Sequence, residues 1–135
     1  MKLKAIAFAL LVPCLMSFLY IQGWIASWSF IIWILLILVA VYFIGRYNKI
    51  HPYRTAFLTG MSWGIVAGLL QYIFSETLLL NNKQLELNLY EAGYKDLDYV
   101  FLVRGPMFGL IFGVAILVGV FFYIRLKDNP KRQSI

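Results

Sequence analysis

Titratable chemistry is scarce in this chain. It has one cysteine, Cys14, and one histidine, His51. A lone thiol forms no intrachain disulfide and no Cys-x-x-Cys pair, which argues against a quinone-linked dithiol oxidoreductase. One His and one Cys cannot complete a zinc site or a bis-histidine haem site, so no cofactor and no metal is expected. Charged residues make up 13% of the chain. An ordinary soluble domain carries about 25%, so there is too little polar material here to coat a water-facing surface. No acidic residue interrupts a long apolar run, whereas ion-coupled transporters and proton pumps usually carry one in mid-membrane. No Gly-x-Ser-x-Gly, His-Glu-x-x-His or Walker pattern is present. On these grounds the chain is not expected to be an enzyme.

What is there is apolar length. A spanning helix needs about 20 apolar residues, and four stretches qualify, at about 3–21, 24–45, 55–75 and 101–124. The fold expected is all-α: an integral membrane four-helix bundle forming a single domain over 1–135. The first stretch imitates a signal peptide, because Lys2 and Lys4 precede it and "LVPC" lies within it. Pro13 stands where a lipoprotein signal needs a small residue, and no Ala-x-Ala site follows. It is therefore read as a true membrane helix, bent at Pro13.

Orientation follows the basic residues. Lys2 and Lys4, then Arg46, Lys49 and Arg54, then Arg125, Lys127, Lys131 and Arg132 fall on one side of four crossings. Only Lys83, Lys95 and Arg104 lie elsewhere. The stretch 76–100 on the other side holds Glu76, Glu86, Glu91, Asp96 and Asp98. Both termini are thus expected in the cytoplasm. The net charge of +6 reads as a topology signal, with membrane lipid as partner and no nucleic acid. Tyr20, Trp24, Trp28 and Tyr72 fall near the outer interface, and Tyr42, Tyr47, Tyr53 and Tyr123 near the inner one, where amphipathic rings anchor. "NNKQLELNLYEAG" predicts a short outer helix over 83–92, started by asparagine and stopped at Gly93. Asp96 signals the start of the fourth helix, and Pro106 is expected to kink it.

Two glycine stripes stand out. Gly60, Gly64 and Gly68 in "GMSWGIVAG" recur as Gly105, Gly109 and Gly113 in "GPMFGLIFG". Four-residue spacing puts each triplet on one helix face, and small residues let helices in lipid pack backbone to backbone. Counting depth at about 1.5 Å per residue sets Gly68 level with Gly109, Gly64 with Gly113, and Gly60 near Gly119. The stripes can face each other, or one can face another subunit, or they can leave room for a lipid or substrate. Gln71 and Ser75 lie on the same side. Gln71 is read as a packing hydrogen bond or as the lining of a small outer cavity. Glu76 and Arg104 are expected to pair at the outer surface.

The segments "YRTAFLTGMSWGIVAGLLQYIFSETLL" and "RGPMFGLIFGVAILVGVFFYIRLKDNP" give the second half a resemblance to a family of uncharacterised four-span membrane proteins of Bacteroidota. The likeness lies in the four spans, the basic loop before helix three, the polar outer helix and the basic tail. It implies a bacterial inner membrane and carries over no activity and no catalytic residue. Two functions remain open. One is a non-catalytic membrane subunit or interaction module that docks on another membrane protein or self-associates. The other is a small oligomeric transporter or channel using Gln71, Ser75 and the glycine face.

Overall fold

A computed structural model describes the backbone of residues 2–25 and 28–128, with side chains from residue 7 onward. The side chains of Lys2 and Lys4, the tail residues Lys131 and Arg132, and both chain termini lie outside the described residues. All regular structure described is helical: α1 (Lys2–Ile21), α2 (Ser29–Tyr47), α3 (Pro52–Ile73), α4 (Ser75–Asn81), α5 (Lys83–Glu91) and α6 (Leu97–Lys127). Three of these, α2, α3 and α6, are long and apolar enough to cross a membrane, which points to a membrane protein. In α1 the described apolar stretch is the shorter Ala7–Ile21.

Helix ends follow local chemistry. The chain leaves α1 through Gly23 at φ +75° and leaves α5 through Gly93 at φ +87°. At each exit the glycine amide bonds the carbonyl three residues back (Tyr20, Tyr90). The next amide, of Trp24 or Tyr94, reaches the carbonyl five residues back (Leu19, Leu89). This is the Schellman pattern, and its left-handed position favours glycine. The Gly23 turn carries the chain past residue 24, so α2 starts at Ser29 rather than at 24. Pro52 occupies the first turn of α3, where its missing N–H costs nothing. α6 starts at Leu97, earlier than residue 101, directly after Asp96. Pro13 and Pro106 lie inside continuous helices.

The segment α4 was not read from the sequence. α3 ends at Ile73, and after Phe74 the chain turns once more as Ser75–Asn81. Asn82 sits at the start of α5, but its side chain forms no cap there. Its amide donates instead to the carbonyls of Tyr20 (3.1 Å) and Leu78 (2.9 Å), and the Asn81 amide donates to that of Ile21 (2.9 Å). The last carbonyls of a helix lack intrahelical partners, so these two asparagines staple the end of α1 to the α4–α5 junction.

The main packing interface joins α3 to α6, with α1 lying along α3 and α2 along α6. A Cβ built on Gly60 would overlap the Gly113 backbone, one on Gly64 would overlap Gly109, and one on Gly68 would stand 2.5 Å from the Gly105 Cα. Three glycines therefore meet three, one helical turn from the offset expected by counting depth. Counting started helix four near Arg104, whereas α6 starts at Leu97. The observed offset matches the whole of both triplets, while the other leaves Gly60 and Gly105 unmatched. Gly119 faces a different helix, with Val41 of α2 against it, and Gly45 receives the Tyr123 ring.

Large side chains close the bundle end that lies away from α4 and α5. Trp63, Ile116, Val120, Ala40 and Ala56 are fully buried together. The Trp63 ring lies 6.0 Å from that of Phe8 and 5.9 Å from that of Trp33, which stacks on Phe112 at 4.7 Å. A second cluster at the α4–α5 end brings Ile21, Leu78, Leu89, Leu97 and Phe101 together.

Candidate functional site

Between these two clusters the packing changes. Trp63, Ala67 and Gln71 lie on one face of α3, four residues apart. Trp63 fills its space, but Ala67 offers a single methyl. A cavity of about 400 Å³ opens at that level, bounded by α1, α2, α3 and α6. It falls in the usual size range of small-molecule sites, roughly 300–1,000 Å³.

The cavity wall is graded in polarity. Towards the α4–α5 end it presents Tyr20, Ser29, Gln71 and Arg104, with Ser17 one turn deeper along α1. At the deep end it presents Ile37, Gly64, Ile111 and Phe112. Arg104 to Ile111 and Gln71 to Gly64 each span seven residues, so the polar-to-apolar axis is about 10 Å long.

Two lining groups are notable for what they lack. Ser17 is 1% exposed and its Oγ has no hydrogen-bond partner. Arg104 is half-buried, two turns into α6, with its guanidinium carbon 5.3 Å from the centre of the Phe108 ring. No ion pair forms among the described residues. The expected pair with Glu76 is therefore absent. Glu76 is exposed in the first turn of α4, while the early start of α6 carries Arg104 inward to the cavity wall.

The remaining residues singled out from sequence divide as follows. Gln71, Gly64 and Gly68 line the cavity. Gly60, Gly109 and Gly113 are buried in the α3–α6 contact and lie outside the lining, and Gly105 serves both. Ser75 is buried at the start of α4 and does not line the cavity. Ser17, Tyr20 and Ser29 were not recognised as a set. The signal available was weak: Ser17 and Tyr20 are three residues apart on one face of an apolar helix, and Tyr20 reads equally well as an interfacial anchor.

Chemically, the wall offers hydroxyl and amide hydrogen bonds and one permanent positive charge. No protein-family model, no curated protein and no solved structure matches the chain.

Proposed function

We propose that this protein is a non-catalytic binding module of a bacterial inner membrane, with α1 as a fourth span, both termini cytoplasmic, and one small amphipathic guest held in the cavity. The observation that carries this reading is the graded cavity lined by all four long helices and open on one side. The topology is supported by charge. Arg46, Arg54 and Arg125 lie on helix ends at one end of the bundle, and Glu76, Glu86, Glu91, Asp96 and Asp98 lie at the other. The four-residue glycine spacing serves the α3–α6 contact within the chain, so docking on a second membrane protein would use the outer faces of α1 and α2. Those faces expose Leu11, Leu15, Leu35 and Leu38, which suit lipid or a partner helix equally well.

The transporter or channel reading needs a path through the whole bilayer. The cavity lining stops at Gly64 and Phe112, and the fully buried cluster of Trp63, Ile116 and Val120 lies beyond it. The packing thus favours a binding pocket over a conduit.

Native mass spectrometry of the chain extracted with its lipids tests the reading. The wild type should carry one amphiphile per chain. Ile34→Trp, which adds volume to the cavity wall, should remove it. A wild type free of adduct, or an adduct indifferent to Ile34→Trp, would contradict the proposal.

A further inference from the structure

The wall of the cavity specifies more than size. Arginine keeps its charge at any ordinary pH, and a charge held away from water within a membrane protein is costly unless it is paired. Arg104 has the Phe108 ring beside it and no carboxylate partner. A cation–ring contact offsets part of that cost but leaves the planar fork of N–H donors available. The Ser17 hydroxyl, 1% exposed and unpartnered, adds a donor on the facing helix. The Gln71 amide lines the same polar end. The complement to a guanidinium flanked by neutral donors is an oxyanion, and Arg binds carboxylate or phosphate oxygens through two parallel hydrogen bonds.

The opposite end of the cavity carries no such groups. Ile37, Ile111 and Phe112 line a space there that a free inorganic ion would leave empty. Polar and apolar ends lie along one axis parallel to the helices, the arrangement that a lipid-like molecule has in a bilayer. We propose that the cavity binds a single-chain anionic amphiphile of the membrane, its phosphate or carboxylate head on Arg104, Ser17 and Gln71 and its chain directed towards Ile37 and Phe112. This assignment rests on the binding-module reading above and adds the charge and orientation of the guest.

Trp33 lines the cavity and Trp63 lies beside it, so fluorescence quenching reports occupancy. The experiment uses the full chain in uncharged micelles, with Trp24→Phe and Trp28→Phe to silence the exposed indoles. The probe is bromododecyl phosphate, the uncharged comparison is bromododecanol, and the competitor is inorganic phosphate. The phosphate probe should quench saturably, and bromododecanol should bind at least about tenfold more weakly, because hydrogen bonds to a charged group are lost. Arg104→Gln should weaken the phosphate probe by about the same factor, Arg104→Lys should restore part of the affinity, and Ser17→Ala should cost about threefold. Arg46→Gln, at the far end of α2, should change nothing. Inorganic phosphate should not compete.

Equal affinity for phosphate and alcohol, untouched by Arg104→Gln, would overturn the anionic assignment and leave the binding module standing. Absence of saturable quenching by either amphiphile would overturn both. Displacement by inorganic phosphate alone would make the site one for a free anion and overturn the assignment of an amphiphile.

Discussion

The two halves of the helix assembly share the same central pair, α3 and α6, yet they are built on different terms. In the half away from α4 and α5 the space beside that pair is filled by Trp63, Ile116 and Val120, each fully buried. In the half nearer α4 and α5 the same face of α3 continues as Ala67 and Gln71, and the space stays open as the cavity. The glycine contact runs through both halves, from Gly60–Gly113 to Gly68–Gly105. It fixes the two helices whether or not their flanks are filled. The contrast teaches that close backbone packing can bear the frame, leaving the volume beside it free for a ligand.

The comparison can be broken most forcefully in the filled half. Trp63→Ala should cost about 3–5 kcal/mol, as deletion of a buried Trp or Phe side chain does. Unfolding in mixed micelles, followed by circular dichroism, measures it. A loss below about 1 kcal/mol would mean that the filled half does not hold the assembly.

Gly64→Leu strikes the frame itself. Overpacking typically costs about 1–3 kcal/mol. Here the obstructing atoms are the Gly109 backbone and the Gly105 carbonyl, which cannot swing aside as a side chain can, so the effect belongs at the top of that range. The same titration should place it clearly above Ala67→Leu, three residues later. Ala67 faces the cavity, so its added carbons enter open space and stability should change by less than about 1 kcal/mol. Equal damage from the two substitutions would erase the distinction between frame and cavity. Between them in size stands Asn82→Ala. It removes one donor from the Tyr20 carbonyl, which keeps the Gly23 amide, and one from that of Leu78, and should cost about 0.5–1.5 kcal/mol, read as faster hydrogen exchange at the end of α1.

Much of this plan was legible in the sequence because it rests on local pattern. Apolar length gave the long helices, and glycine spacing gave the faces of α3 and α6. The stop at Gly93 followed from backbone conformation alone. What was not legible depends on how elements meet. The axial offset of α3 against α6 is set by matching triplet to triplet in space, and no local signal encodes it. By sequence Arg104 is an interfacial charge, because apolar length alone places the start of the fourth helix near 101 and not at Leu97. Once α6 begins at Leu97, the residue is two turns deep and lines the same cavity as Gln71 and Ser17, rather than meeting Glu76 at the surface. Ser17 itself is one hydroxyl in an apolar helix, and only its neighbours on other helices give it meaning. By sequence Asn82 is a cap for its own helix, whereas its amide closes α1.

The central claim is that α3 and α6 of one chain lie backbone to backbone in the Gly64–Gly109 register. Solid-state NMR in lipid, with carbon-13 at glycine Cα positions, measures this directly when labelled chain is diluted in a large excess of unlabelled chain. The account predicts a Gly64–Gly109 cross-peak whose intensity per labelled chain survives dilution. A cross-peak that fades on dilution, or one joining Gly64 to Gly113 in its place, would contradict it.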